Sequence, residues 1–205
     1  MSARIADELD RTDLTTQIQR EIKSAVAHYE NRRFFFNEAR LTGLALIDGQ
    51  EFYTSSDNSN IPNLIYIDSF KVARSATDKW ELDRKPFEEL DFYSDSNSAA
   101  EGQPTWYAYY AKQIRLYPIP NASYSAVIAG VYALADLSLT SDTNAWMTDG
   151  EALIRSRAKR NILRNVIRDQ ELANEMAGQE REEYLRLTEV TNSRKSTGTI
   201  FPTQF

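Results

Sequence analysis

An α+β fold, a helical bundle with a small antiparallel β layer inserted between its helices, is predicted by three features of the chain. Near the N-terminus Leu14, Ile18, Ile22, Val26 and Tyr29 recur at helical spacing, with Ala25 on the same face. Towards the C-terminus Leu153, Ile154, Ala158, Ile162, Val166 and Ile167 form a second such face, and Leu172, Met176, Leu185 and Leu187 mark a further helix. Between these blocks lie short apolar runs separated by polar loops, as strands of a half-buried layer read. The expected organisation is one domain over residues 1–192, with the bundle drawn from 12–38 and 147–192, a β insertion over 41–135, and residues 193–205 an extended tail.

In chain order, Asp13 is an N-cap candidate for a long amphipathic helix running to about Phe36. Phe34, Phe35 and Phe36 cannot all share one stripe, so at least one ring must meet the β layer or another subunit. Leu41 to Tyr53 reads as two extended runs joined at Asp48-Gly49, a dipeptide that favours a tight hairpin. Thr54 to Asn63 reads as a surface loop, and Leu64 to Val72 as a strand in which Asp68 marks a bulge or an edge. Lys79 to Leu82 is a short strand candidate, Pro86 opens a helical turn through Leu90, and Asp91 to Pro104 is a second long loop. Trp106 to Ala111, Gln113 to Tyr117 and Tyr124 to Leu134 then read as an antiparallel meander, with Pro118, Pro120 and Asn121 supplying a turn. Thr143 to Trp146 leads into a helix capped near Thr148 or Asp149, with Glu151 beside the positive end of its dipole and a break near Arg168-Asp169 or Gly178.

Composition narrows the function. With 7 Gly and 6 Pro in 205 residues and a 41% hydrophobic fraction, the chain has the means to fold around a core. No window approaches the roughly 18 apolar residues of a membrane span, and Met1 to Asp10 lacks an apolar signal core, so a soluble protein made in the cytoplasm is expected. The absence of cysteine removes disulfides, thiolate nucleophiles and cysteine zinc sites. A net charge of -6 argues against a main affinity for phosphate backbone, while remaining compatible with a wall past which DNA slides.

No residue pattern carries catalysis. His28 is the only histidine, so a histidine triad or multi-histidine metal site cannot form within one chain. Glu88-Glu89-Asp91 and Glu182-Glu183 are adjacent acids that read as solvated faces rather than as a carboxylate pair across a cleft. The scattered glycines never reach the spacing of a phosphate loop. Trp106, Tyr107, Tyr109, Tyr110, Tyr117, Tyr124 and Tyr132 suit a core face with an exposed tyrosine rim, or a subunit interface.

Charge divides the C-terminal helices. Arg155, Arg157, Lys159, Arg160, Arg164 and Arg168 crowd the first, whereas Asp169, Glu171, Glu175, Glu180, Glu182, Glu183 and Glu189 dominate the second. Pairing within the chain or between neighbours is expected, with Arg155, Arg157, Arg160, Arg164, Arg168, Glu171 and Glu175 the candidates for contacts between subunits. The tail ends in Ile200, Phe201, Pro202 and Phe205 after a polar spacer. Its apolar groups gain roughly 1.5–3 kcal/mol each on burial, so they call for a surface to dock on.

The aromatic-rich stretch Tyr29–Glu38, the segments PTWYA at 104–108 and IRLYPIP at 114–120, TNAWM at 143–147 and the closing helical pair, in this order, resemble the head-to-tail adaptor proteins of tailed bacteriophages. Tail-accessory adaptors of short-tailed phages are the nearest in kind. The resemblance implies a non-enzymatic virion protein at the head–tail junction, without cofactor and without a membrane. It implies a homo-oligomeric ring of about twelve copies beneath the portal protein, extending the channel and offering a platform to tail or nozzle proteins. Double-stranded DNA would be only transient lumen content. The family's C-terminal segment reaches the portal, and Ile200, Phe201, Pro202 and Phe205 match it in kind. Two other readings stand beside this one: a tail-associated cell-wall hydrolase, which needs two facing carboxylates, and a DNA-binding packaging factor, which needs the basic helix unpaired.

Overall fold

A computed structural model describes residues 1–94, 100–135 and 143–195. Residue contacts divide the chain into two compact units, one formed by residues 1–37 with 134–205 and the other by Glu38–Ala133. The elements in chain order are α1 (Ser2–Glu8), α2 (Thr15–Tyr29), β1 (Glu38–Leu46), β2 (Phe52–Tyr53), β3 (Leu64–Ala73), β4 (Lys79–Glu81), β5 (Asp83–Arg84), α3 (Phe87–Ser94), β6 (Glu101–Gly102), β7 (Trp106–Tyr110), β8 (Gln113–Tyr117), β9 (Ile119–Pro120), β10 (Tyr124–Tyr132), α4 (Ala145–Thr148), α5 (Glu151–Ile162) and α6 (Gln170–Lys195).

The chain is α+β, but the expectation of a bundle with a small β layer is overturned: among the described residues ten strands build three sheets. One sheet has the order β1-β10-β3-β4, a second β2-β8-β7-β5, and β6 and β9 form a short parallel pair. The reason is a complete core within the strand-rich unit. Inward positions of the first sheet (Leu41, Leu44, Leu46, Phe70, Val72, Ala126, Ile128) and of the second (Tyr53, Tyr107, Ile114, Leu116) meet in one buried cluster, the arrangement of two packed sheets rather than of one layer.

Pairing also departs from the local signals. Asp48-Gly49 makes no hairpin: β1 pairs with β10 and β2 with β8, so the dipeptide carries the chain from one sheet to the other. Gly49 has φ +73, which explains the glycine without a hairpin. The expected meander holds only for β7 and β8; the turn at Pro118–Asn121 sends β10 between β1 and β3 instead. Asp68 does sit at a bulge, because the register jumps from Ala129 opposite Ser69 to Gly130 opposite Ile67. There a Cβ on Gly130 would fall 2.0 Å from the Tyr66 carbonyl oxygen, so close backbone approach requires glycine. The Thr54–Asn63 segment is anchored: Ile61 is fully buried, and the Asp57 carboxylate accepts from the Thr54 amide at 2.7 Å.

In the helical unit, α2 stops at Tyr29 rather than near Phe36, and Asp13 binds Arg11 at 2.7 Å instead of capping. Asn37 explains the early stop. Its side chain accepts from the Phe34 amide at 2.8 Å and donates to the Arg32 carbonyl at 2.7 Å, closing a turn. That turn aims Phe34 and Phe36 at Trp146, with Tyr184 edge-on to Phe34. Asn144 caps α4 by accepting from the Trp146 amide at 2.9 Å, and α5 is capped at Gly150, just past the expected Thr148 or Asp149, with Glu151 in its first turn. Ile18, Ile22 and Ala25 of α2 share a core with Leu153, Ile154, Ala158 and Ile162 of α5 and Leu187 of α6. A π-helical turn over Leu163–Ile167 and Arg168 in the left-handed region (φ 64) separate α5 from α6, which passes through Gly178 unbroken.

Candidate functional site

The polar chemistry of the helical unit converges on Glu180. Ala173, Met176, Glu180, Leu187 and Thr191 are the buried row of α6, so helical spacing drives a carboxylate into the interior. Three groups compensate it. Tyr29 donates its hydroxyl to Oε1 at 2.5 Å, and Arg157 Nη1 donates to the same oxygen at 2.7 Å. Arg160 Nη1 lies 2.6 Å from Oε2 but off the line of a hydrogen bond, leaving Oε2 and Arg157 Nε buried without aligned partners. Burial, reinforced by the acceptor Glu180, pushes the Tyr29 hydroxyl far up, so it remains a donor throughout the accessible range. Partial desolvation and the Arg157 charge lower the pKa of the neighbouring His28, which is itself exposed.

A second seam ties α1 to α5. Arg155 Nη1 and Lys159 Nζ reach Glu8 at 2.6 and 3.0 Å. Burial alone would raise Glu8, but Lys159 and Arg155 outweigh it and hold the carboxyl below 4.5. Of the basic residues singled out by sequence, Arg155, Arg157 and Arg160 thus have acidic partners within the chain. Arg164, Arg168, Glu171 and Glu175 are exposed, and among the described residues they form no ion pair. Ile200, Phe201, Pro202 and Phe205 lie outside the described residues.

The other acids singled out are engaged locally or exposed. Glu89 takes Lys85 at 2.9 Å, Asp91 takes Arg115, Glu183 takes Arg186 at 2.8 Å, and Glu88 is exposed. Arg115, which sequence reasoning missed, is buried on β8 between Glu51 at 2.6 Å and Asp91, with its guanidinium against Phe52 and Phe87. The tyrosines divide between core and rim: Tyr107 is buried, Tyr109 donates to the Ile61 carbonyl at 2.9 Å, and Tyr110 is 60% exposed. Among the described residues no three His, Cys, Asp or Glu side chains come together as metal ligands, and no helix is long and apolar enough to cross a membrane.

What the geometry supplies is a set of charged seams that hold helices together, with further charges exposed and without an ion pair among the described residues. The chain belongs to the SU10 adaptor protein family, whose model matches residues 1–200, in agreement with the resemblance to phage head-to-tail adaptors. No curated protein matches the chain.

Proposed function

We propose that the protein is a head-to-tail adaptor that forms a homo-oligomeric ring of about twelve copies beneath the portal, extends the DNA channel, and presents a platform to tail or nozzle proteins. The observation that carries this reading is membership of an adaptor family over nearly the whole chain. The net charge of -6 supports a role for DNA as passing content rather than as bound ligand. Arg164, Arg168, Glu171 and Glu175, exposed and without a carboxylate or basic partner among the described residues, support charged contacts between neighbouring copies.

The tail is the portal handle in this reading. Ser196, Thr197 and Gly198 are a polar spacer, and Ile200, Phe201, Pro202 and Phe205 are the anchor. One such anchor binds weakly after the cost of ordering, and repetition around a ring multiplies weak contacts into a stable joint. Deleting Thr199–Phe205 is expected to leave thermal unfolding unchanged and to abolish co-sedimentation with portal rings. Undiminished portal binding by the truncated chain would move the anchor to the helices.

A further inference from the structure

The helical unit carries a basic groove and an acidic ridge on different faces. A concavity of about 270 Å³ is lined by His28 and Arg32 of the α2 end, Arg160 of α5, and Glu180 and Arg181 of α6. A second, of about 170 Å³, is lined by Arg160, Arg164, Gln170 and Asn174. The two share Arg160 and Ala177 and so form one groove along the seam between α5 and α6. Its one acid, Glu180, is already held by Arg157 and Arg160, whereas Arg32, Arg164 and Arg181 are exposed and have no carboxylate partner among the described residues.

The ridge lies on the solvent side of α6. Glu171, Glu175, Glu182 and Glu189 follow one another at intervals of four or seven residues, which aligns them along one line over about 27 Å. That line is opposite the buried row Ala173, Met176, Glu180 and Leu187. All four carboxylates are exposed, and among the described residues none forms an ion pair. Each face repels itself, since Glu171 and Glu175 stand one turn apart, as do Arg160 and Arg164.

We infer that the basic groove receives the acidic ridge of α6 from a second copy of this chain. Charge complementarity selects the occupant: the groove gathers the guanidiniums of Arg32, Arg164 and Arg181 from three parts of the helical unit, and the ridge offers a row of carboxylates. Because two different faces meet, the contact is heterologous and propagates from copy to copy, as a closed ring requires. The inference rests on the ring reading above and assigns its polarity.

The test uses the full chain in sedimentation velocity at low and high salt. Arg164→Glu with Arg181→Glu reverses the groove, and Glu175→Lys with Glu182→Lys reverses the ridge; all four positions are exposed, and circular dichroism checks that folding is kept. Each reversal is expected to raise the apparent Kd of self-association at least about tenfold, and added salt is expected to weaken the parent. An equimolar mixture of the two variants restores assembly, because each then presents the opposite sign to its neighbour; misfolded variants cannot do this. If both variants assemble as the parent does, the ring stands and the groove assignment falls. If the parent stays monomeric with and without portal, the ring reading falls and takes the groove with it. If groove reversal abolishes retention on DNA and leaves the mass unchanged, the groove is a phosphate site and the proposal is overturned.

Discussion

At Glu180 three helices are joined through one carboxylate, and the balance of forces there is set by burial. The side chain is only 6% exposed and Arg157 is 15% exposed, so removing either charge strands the other in a poorly solvated place. Glu180→Gln is expected to cost about 3 kcal/mol in urea unfolding. Glu183→Gln, which breaks the more exposed pair with Arg186, is expected to cost less than about 0.5 kcal/mol. Equal costs would mean that Glu180 is solvated. Protons act on the same unit. Glu8 is held below 4.5 and His28 below 6.5, so in both cases the unfolded chain binds the proton first as pH falls. His28 is exposed, so solvent screens its contribution to a small one; the Glu8 contribution is complete above 4.5 and is lost as pH drops through its lowered value. Urea midpoints are therefore expected to decline as pH falls below 4.5 and to change little from 6.5 to 8. A midpoint that rises on acidification would contradict this.

Among the elements, the turn between β7 and β8 is the least adapted to its geometry. Ala111 and Lys112 take φ 50 and 62, the left-handed pair of a tight hairpin, without the Asn-Gly that such a turn favours. Ala111→Asn with Lys112→Gly is expected to stabilise by about 1 kcal/mol, measured as a raised denaturant midpoint with an unchanged slope. A loss of stability would mean that the turn is held by something other than backbone preference. What is legible in the sequence depends on how far apart in the chain the contacts lie. Helix faces repeat within one element, so Ile18, Ile22, Ile154, Ala158 and Ile162 were readable as core, as was the break at Arg168. Strand partners are set by contacts distant in sequence. Nothing local in Asp48-Gly49 or Pro118–Asn121 tells a hairpin from a crossing between sheets, so the strand runs were found and the two-sheet core was not. Glu180 was within reach: its place in the row with Ala173, Met176 and Leu187 marks it as a buried acid needing basic partners.

At the scale of the molecule, membership of an adaptor family, exposed charge on the helical unit without an ion pair among the described residues, and an apolar C-terminal sequence are the grounds for the proposed assembly of a ring on a portal. Folding and assembly draw on different residues in this view. Arg157, Arg160, Glu8 and Glu180 pair within the monomer, whereas Arg164, Arg181, Glu175 and Glu182 are proposed to meet other copies, and the terminal apolar group is proposed to meet the portal. The most direct measurement is the mass of the full chain alone and after mixing with purified portal rings, by native mass spectrometry. The proposed ring should give a discrete complex of one portal ring with about twelve copies of this chain, filled cooperatively so that partly loaded rings are scarce. A portal ring whose mass is unchanged by excess protein, while circular dichroism shows the chain folded, would contradict it.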